Sequence, residues 1–101
     1  MALLDADQIT EGLGRLEGWE WDPEGNELRR TVHMPDFMSG IHLVTAVARV
    51  AEEVDHHPDI DIRFNKVTFH QTTHAVGGVT RRDVDMASRI DALVAEAGPA
   101  D

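Results

Sequence analysis

Apolar residues recur along this chain at two periods, and the switches between them mark out its elements. From about Asp5 to Leu16, Ile9, Leu13 and Leu16 stand at helical spacing, with Asp5 or Asp7 placed to cap the amino end. Trp19-Glu20-Trp21-Asp22 and Leu28-Arg29-Arg30-Thr31-Val32 then flank Pro23-Glu24-Gly25-Asn26, which reads as two strands joined by a turn. Between Asp36 and Asp55 helical spacing returns in two adjacent stripes. One is Phe37, Ile41, Val44, Ala48 and Ala51; the other is Leu43, Val47, Val50 and Val54. Pro35 and Asp36 suit the start of this helix, and Pro58 bounds its end because the residue before a proline is pushed out of the helical region.

Period two then resumes. Ile60 and Ile62 alternate with Asp59, Asp61 and Arg63, and Val67, Phe69 and Gln71 alternate with Lys66, Thr68, His70 and Thr72, with Phe64-Asn65-Lys66 as the turn. After Gly77-Gly78, Thr80 followed by Asp83 resembles a capping box. Met86, Ala87, Ile90, Leu93, Val94 and Ala97 continue at helical spacing to Gly98-Pro99. The order is α-β-β-α-β-β-α, for which the natural layered solution is an α+β fold: a four-stranded antiparallel sheet with helices packed on one face. At 101 residues, 42% of them hydrophobic, one core fits and two do not, so residues 1–101 read as a single domain.

The doubled stripe on the second helix carries a further expectation. Packing on one sheet face consumes one stripe, and the leftover set, taken as Leu43, Val47, Val50 and Val54, would expose an apolar patch that monomers seldom tolerate. A homodimer, or a homotetramer built as two dimers, is the expected state.

Charge narrows the partners. Nine Lys and Arg against nineteen Asp and Glu give a net charge of −10, which disfavours nucleic acid and anionic membrane surfaces. No basic start or long apolar run opens the chain, so the expectation is a soluble cytoplasmic protein. The absence of cysteine fits a reducing compartment and removes disulfides, thiolate ligands and a thiol nucleophile. Chemistry is left to His, Asp, Glu and hydroxyls.

Those residues concentrate in Glu52-Glu53-Val54-Asp55-His56-His57-Pro58, joined by His74 at the end of the fourth strand. On a continuing helix Glu52 lies one turn before His56, so its carboxylate is placed to accept an imidazole N–H and fix the tautomer. His57, preceding Pro58, leaves the helix and points elsewhere. General acid–base help of about 10²–10⁴-fold, roughly 3–5 kcal/mol of barrier, is what such histidines supply, and it suits an easy elimination. An isolated His-His-Pro after a helix is more often a polar stop than a site. Zinc held by His56, His57 and His74 is the competing reading; adjacent histidines diverge at a helix end, and neither a His-x-x-x-His pair nor a cysteine is present, so no metal is expected. His33, His42 and His70 have no acidic or histidine neighbour at useful spacing and read as structural or surface residues, although His70 shares strand parity with His74. Asp83 reads equally as a helix cap or a participant, and Trp19 and Trp21 read as packing.

Taken in order, Glu52, His56-His57-Pro58, Phe64, His74 and Asp83 closely resemble the diagnostic pattern of the pterin-4a-carbinolamine dehydratases. Asn65-Lys66-Val67, Thr73-His74, Gly78, the turn from Thr80 to Asp83 and Ala87-Ser88 are also similar to that family; the likeness is densest from Asp36 to Val94 and weaker at Gly18-Trp19. The resemblance implies the same fold and a hydro-lyase that dehydrates 4a-hydroxytetrahydropterin to quinonoid dihydropterin, in tetrahydrobiopterin recycling and without a cofactor. It implies His57 and His74 as the acid–base pair in either order, His56 as the residue that positions substrate, and Glu52 as a supporting orienter, with a reduced pterin from an aromatic amino-acid hydroxylase pathway as the partner. Phe64 stands where many members carry tyrosine, and Ile41, His42 and Val44 differ from the family's aromatic positions, changes that bear on pocket shape. Some members act as dimerisation partners of transcription factors, so the alternative is a non-catalytic protein-binding module.

Overall fold

The computed structural model describes residues 2–100 and has the expected element order. Helix α1 spans Ala6–Leu13, strands β1 and β2 span Glu20–Asp22 and Glu27–His33, and helix α2 spans Phe37–Val54. Strands β3 (Asp59–Arg63) and β4 (Lys66–Gln71) follow, then a 3₁₀ turn over His74–Val76 and helix α3 over Arg81–Ala97. Helix α1 stops at Leu13, short of Leu16, where Gly14 takes the C-cap; Leu16 still packs against the core from the loop. At the other end the Asp5 carboxylate accepts the Gln8 amide at 2.9 Å.

The four strands are antiparallel in the order β1-β2-β4-β3. Pairing β2 directly with β4 places Arg30 opposite Phe69 and Val32 opposite Val67, while Ile60 of β3 lies opposite Phe69 from the other side. Alternation sends Leu28, Val32, Val67, Phe69 and Gln71 into the core beneath α2 and α3, and sends Thr31, Thr68, His70 and Asp61 to the opposite face. Asp91 of α3 ties helix to sheet: it accepts from Arg30 Nη1 at 2.6 Å, Trp19 Nε1 at 2.7 Å and the Glu17 amide at 2.8 Å. Trp19 is a core residue and Trp21 packs at its edge, as expected of both.

One detail of α2 is the reverse of expectation. Gly40, Leu43, Val47, Val50 and Ala51 face the core, and Val47 is 0% exposed. Each such buried aliphatic side chain contributes about 1.5–3 kcal/mol, which the sheet interface already captures. Of the other stripe, Phe37 is 45% exposed and Ala48 is exposed, Ile41 and Val44 are half-buried with Val44 packed at the edge of the core, and Ala51 joins the core, while Val54 of the first stripe is left outside. The stripe of Leu43, Val47 and Val50 is the more uniformly aliphatic of the two, since the other includes Ala48 and Ala51, and it is the one that faces the core.

His70 is also tied more closely than its sequence neighbours suggest. From the middle of the outer sheet face its Nδ1 meets Glu27 at 2.5 Å and its Nε2 meets Asp61 at 2.7 Å, so one ring links β2, β4 and β3. Burial pulls its pKa down, but the hydrogen bonds and charges of the two carboxylates outweigh burial and hold it above the ordinary 6.5. A raised folded value means that this stabilisation is fully present below about pH 6.5 and is lost as pH rises through the folded value. The loss of unfolding free energy in His70→Gln, measured in urea, is expected to be larger near pH 6 than near pH 9. Equal losses at both pH values would contradict the bridge.

Candidate active site

The site is built where α2 ends. Asp55 adopts the left-handed conformation, φ 53° and ψ 45°, and its amide still bonds to the Ala51 carbonyl. Aspartate tolerates this conformation better than most residues, and the reversal it causes swings the chain off the helix axis. Arg82 of α3 donates through Nη2 to the carbonyls of Val54 and Asp55, both at 2.8 Å, which satisfies helix-end acceptors and fixes the two helices together.

That reversal changes the expected pairing of histidines and carboxylates. Glu52 does not hold His56. His56 turns inward, 9% exposed, and its Nε2 lies 2.6 Å from Oδ1 of the fully buried Asp83. Glu52 instead meets His57, whose Nε2 lies 2.5 Å from Oε2. Had α2 continued as a helix through His56, the spacing from Glu52 to His56 would have held; the left-handed Asp55 between them moves His57 into that place.

Asp83 caps α3 and also holds His56. Its Oδ2 accepts the Thr80 amide at 2.8 Å, which is the carboxylate arm of a capping box, and it accepts the Thr73 hydroxyl at 2.8 Å. Every partner of this carboxylate is a donor, so His56 presents Nε2–H to it and Nδ1 is left to face elsewhere. His74 lies three residues beyond β4, at the first position of the 3₁₀ turn rather than on the strand. Its Nε2 is 3.4 Å from Oδ2 of Asp59 at the start of β3. Gly78 closes that turn: a Cβ there would stand 2.3 Å from the side-chain Nδ2 of Asn26 and displace it from its bond to the Gly77 carbonyl.

Three histidines thus have three separate carboxylates, each engaged through Nε2. His56, His57 and His74 line one open cavity of about 320 Å³ with Thr72, Thr73 and Arg82, a volume in the range of small-molecule sites. A second hollow of about 230 Å³ adjoins it behind His56 and Arg82, walled by Val54, Met86 and Arg89. His70, with its bonds to Glu27 and Asp61, stays outside the cluster despite its strand parity. Phe64, 73% exposed, sits at the far end of the β3–β4 hairpin from Asp59 and does not line this cavity. Among the described residues no three His, Asp or Glu side chains converge into a set that could hold a metal ion.

Asp59 and Arg82 are not among the residues that the sequence singles out, and Thr73 stands there only as part of the family likeness. Their signal is cross-strand: Asp59 pairs with His70, four residues before His74, so register rather than sequence distance brings them together.

Comparison with known proteins identifies the family to which this α+β chain belongs. The family described as pterin 4 alpha carbinolamine dehydratase matches residues 2–93, and the chain belongs to that family. A relative from Mycobacterium tuberculosis, provisionally named pterin-4-alpha-carbinolamine dehydratase, is 52% identical over 93 residues, covering 92% of this chain and 97% of its own. A Roseiflexus castenholzii protein with the same provisional name is 48% identical, covering 92% and 98%. Among solved structures, the transcriptional coactivator/pterin dehydratase from Brucella melitensis superposes with a TM-score of 0.87 at 29% identity, over 91% of this chain and 98% of that one. A pterin dehydratase-like protein identified as a RuBisCO assembly factor in the alpha-carboxysome shares the fold, with a TM-score of 0.66 at 20% identity over 83% and 94%.

Proposed function

We propose that this chain dehydrates 4a-hydroxytetrahydropterin to quinonoid dihydropterin by histidine acid–base catalysis, within tetrahydrobiopterin recycling. The observation that carries this reading is the convergence of His56, His57 and His74, each with its own carboxylate, on one open cavity. In the reaction the C4a–O bond breaks and N5 loses its proton. One of His57 and His74 delivers a proton to the departing hydroxyl, which leaves as water, and the other takes the N5 proton. Exchange with solvent restores both rings. His56, held from behind by Asp83, positions the substrate. Such help is worth about 10²–10⁴-fold, which is appropriate to an elimination that already proceeds slowly in water. Decay of freshly generated 4a-carbinolamine should accelerate when the protein is added at low concentration; decay at the uncatalysed rate sinks the proposal.

The proposed chemistry needs no metal. Exhaustive dialysis against a strong chelator is expected to leave turnover unchanged, whereas a loss restored by stoichiometric zinc would favour the metal reading.

A second reading, a protein-binding module, is favoured by the coactivator likeness and by the apolar stripe outside α2. The two are separated by the decay assay. Self-association is proposed for either, through Phe37, Ile41, Val44 and Ala48 rather than through Val47. Light scattering should find a dimer or tetramer at micromolar concentration, and Val44→Glu should shift it to a smaller species. A monodisperse wild-type monomer would end that proposal.

A further inference from the structure

Resting on the dehydratase reading, we infer that Thr73 is a positioning residue whose hydroxyl holds in place the Asp83 carboxylate against which His56 is set. Oδ2 of Asp83 lies 2.8 Å from the Thr73 hydroxyl and 2.8 Å from the Thr80 amide, and Oδ1 lies 2.6 Å from His56 Nε2. Asp83 is 0% exposed, away from bulk solvent. Thr73 has one hydroxyl proton, and Asp83 takes it. The 2.8 Å contact between the Thr73 and Thr80 hydroxyls must then run the other way, with Thr80 donating to Thr73. The result is a directed chain: Thr80 O–H to Thr73, Thr73 O–H to Asp83, and His56 Nε2–H to Asp83. Its direction is fixed at one end by the Thr80 amide, which can only donate.

Loss of the Thr73 proton frees Thr80's to swing to Asp83, from which it now stands 3.5 Å away. The carboxylate would have to shift to meet it, and His56 would follow. The backbone of Thr73 does different work. Its carbonyl accepts the amides of Val76 and Gly77, and its amide bonds to the Gly78 carbonyl, so it holds the turn that carries His74. Thr73→Val leaves those backbone bonds and the side-chain volume in place. It therefore separates the hydroxyl's action on His56 from the placement of His74.

The test compares the wild type with Thr73→Val and Thr73→Ser in steady-state kinetics and in long-range ¹H–¹⁵N spectra of the substrate-free imidazoles. The expected result is a KM raised about tenfold in Thr73→Val with kcat changed less than about threefold, and values within about twofold of wild type in Thr73→Ser. In the spectra His56 should carry its proton on Nε2 in the wild type and in Thr73→Ser, with that proton signal broadened or lost in Thr73→Val. A wild-type KM in folded Thr73→Val, or an equal defect in Thr73→Ser, would overturn the inference. If Thr73→Val does not fold, the spectra of the other two proteins still decide: a neutral His56 protonated on Nδ1 overturns the assignment. These spectra need no substrate, so a protein that lacks dehydratase activity would defeat the functional proposal while the positioning of His56 is judged separately.

Discussion

Replacing either His57 or His74 by alanine is expected to cut turnover by about 10²-fold or more, roughly 2.7 kcal/mol of barrier, while the protein stays folded. The two rings are suited to such a test. Their side chains are 53% and 75% exposed, so little packing is lost with them. Each has Nε2 against a carboxylate, Glu52 or Asp59, so in the proposed mechanism Nδ1 is the atom that exchanges a proton with the substrate. An elimination that needs one proton delivered and one removed loses a different half of its chemistry in each variant. His56→Ala should differ in kind, weakening binding more than it slows the chemical step. Single-turnover measurements make the comparison free of product release; near wild-type rates in either the His57 or the His74 variant would show the acid–base assignment to be wrong.

How much of this was legible beforehand differs from level to level. Element order followed from periodicity because each segment keeps one period throughout, as in Val67, Phe69 and Gln71 against Met86, Ile90 and Val94. The pairing of β2 with β4 carries no local signature; it depends on which strands the helices bring together. The inward stripe of α2 did carry a clue in Gly40. It lies on the same face as Leu43 and Val47, and a Cβ there would come within 3.4 Å of Val67, so the smallest residue marks the closest approach to the sheet. The three histidines were found by their types and spacing, but the partner of each was decided by geometry that spacing does not contain. A single left-handed residue, Asp55, moved Glu52 from His56 to His57. The contacts of Asp59, Thr73 and Arg82 with this cluster follow only from placing the β4 end, the β3 start and the α3 start side by side.

The largest effect on stability is expected at Asp83. This carboxylate accepts from His56 Nε2, the Thr73 hydroxyl and the Thr80 amide at 2.6 to 2.8 Å in a place without solvent. Asp83→Ala leaves all three donors without their acceptor, at a cost of about 3–5 kcal/mol, comparable to breaking a buried charged pair. For a chain of this size that corresponds to a fall in Tm of roughly 4–8 °C per kcal/mol. Asp83→Asn is the more informative substitution because shape is kept and only a hydrogen-bond type changes. The Thr80 amide cannot reverse its role, so the asparagine oxygen must stay with it and the NH₂ group must face His56. Two donors then meet unless the imidazole surrenders its Nε2 proton, and the neutral ring must carry its proton on Nδ1, the atom that otherwise turns to the substrate. The expected outcome is a folded protein weakened by about 1–3 kcal/mol in urea unfolding. Its KM should rise because His56 now presents a donor where it had presented an acceptor. Wild-type unfolding free energy together with wild-type KM would mean that Asp83 does not hold His56 in solution as it does here.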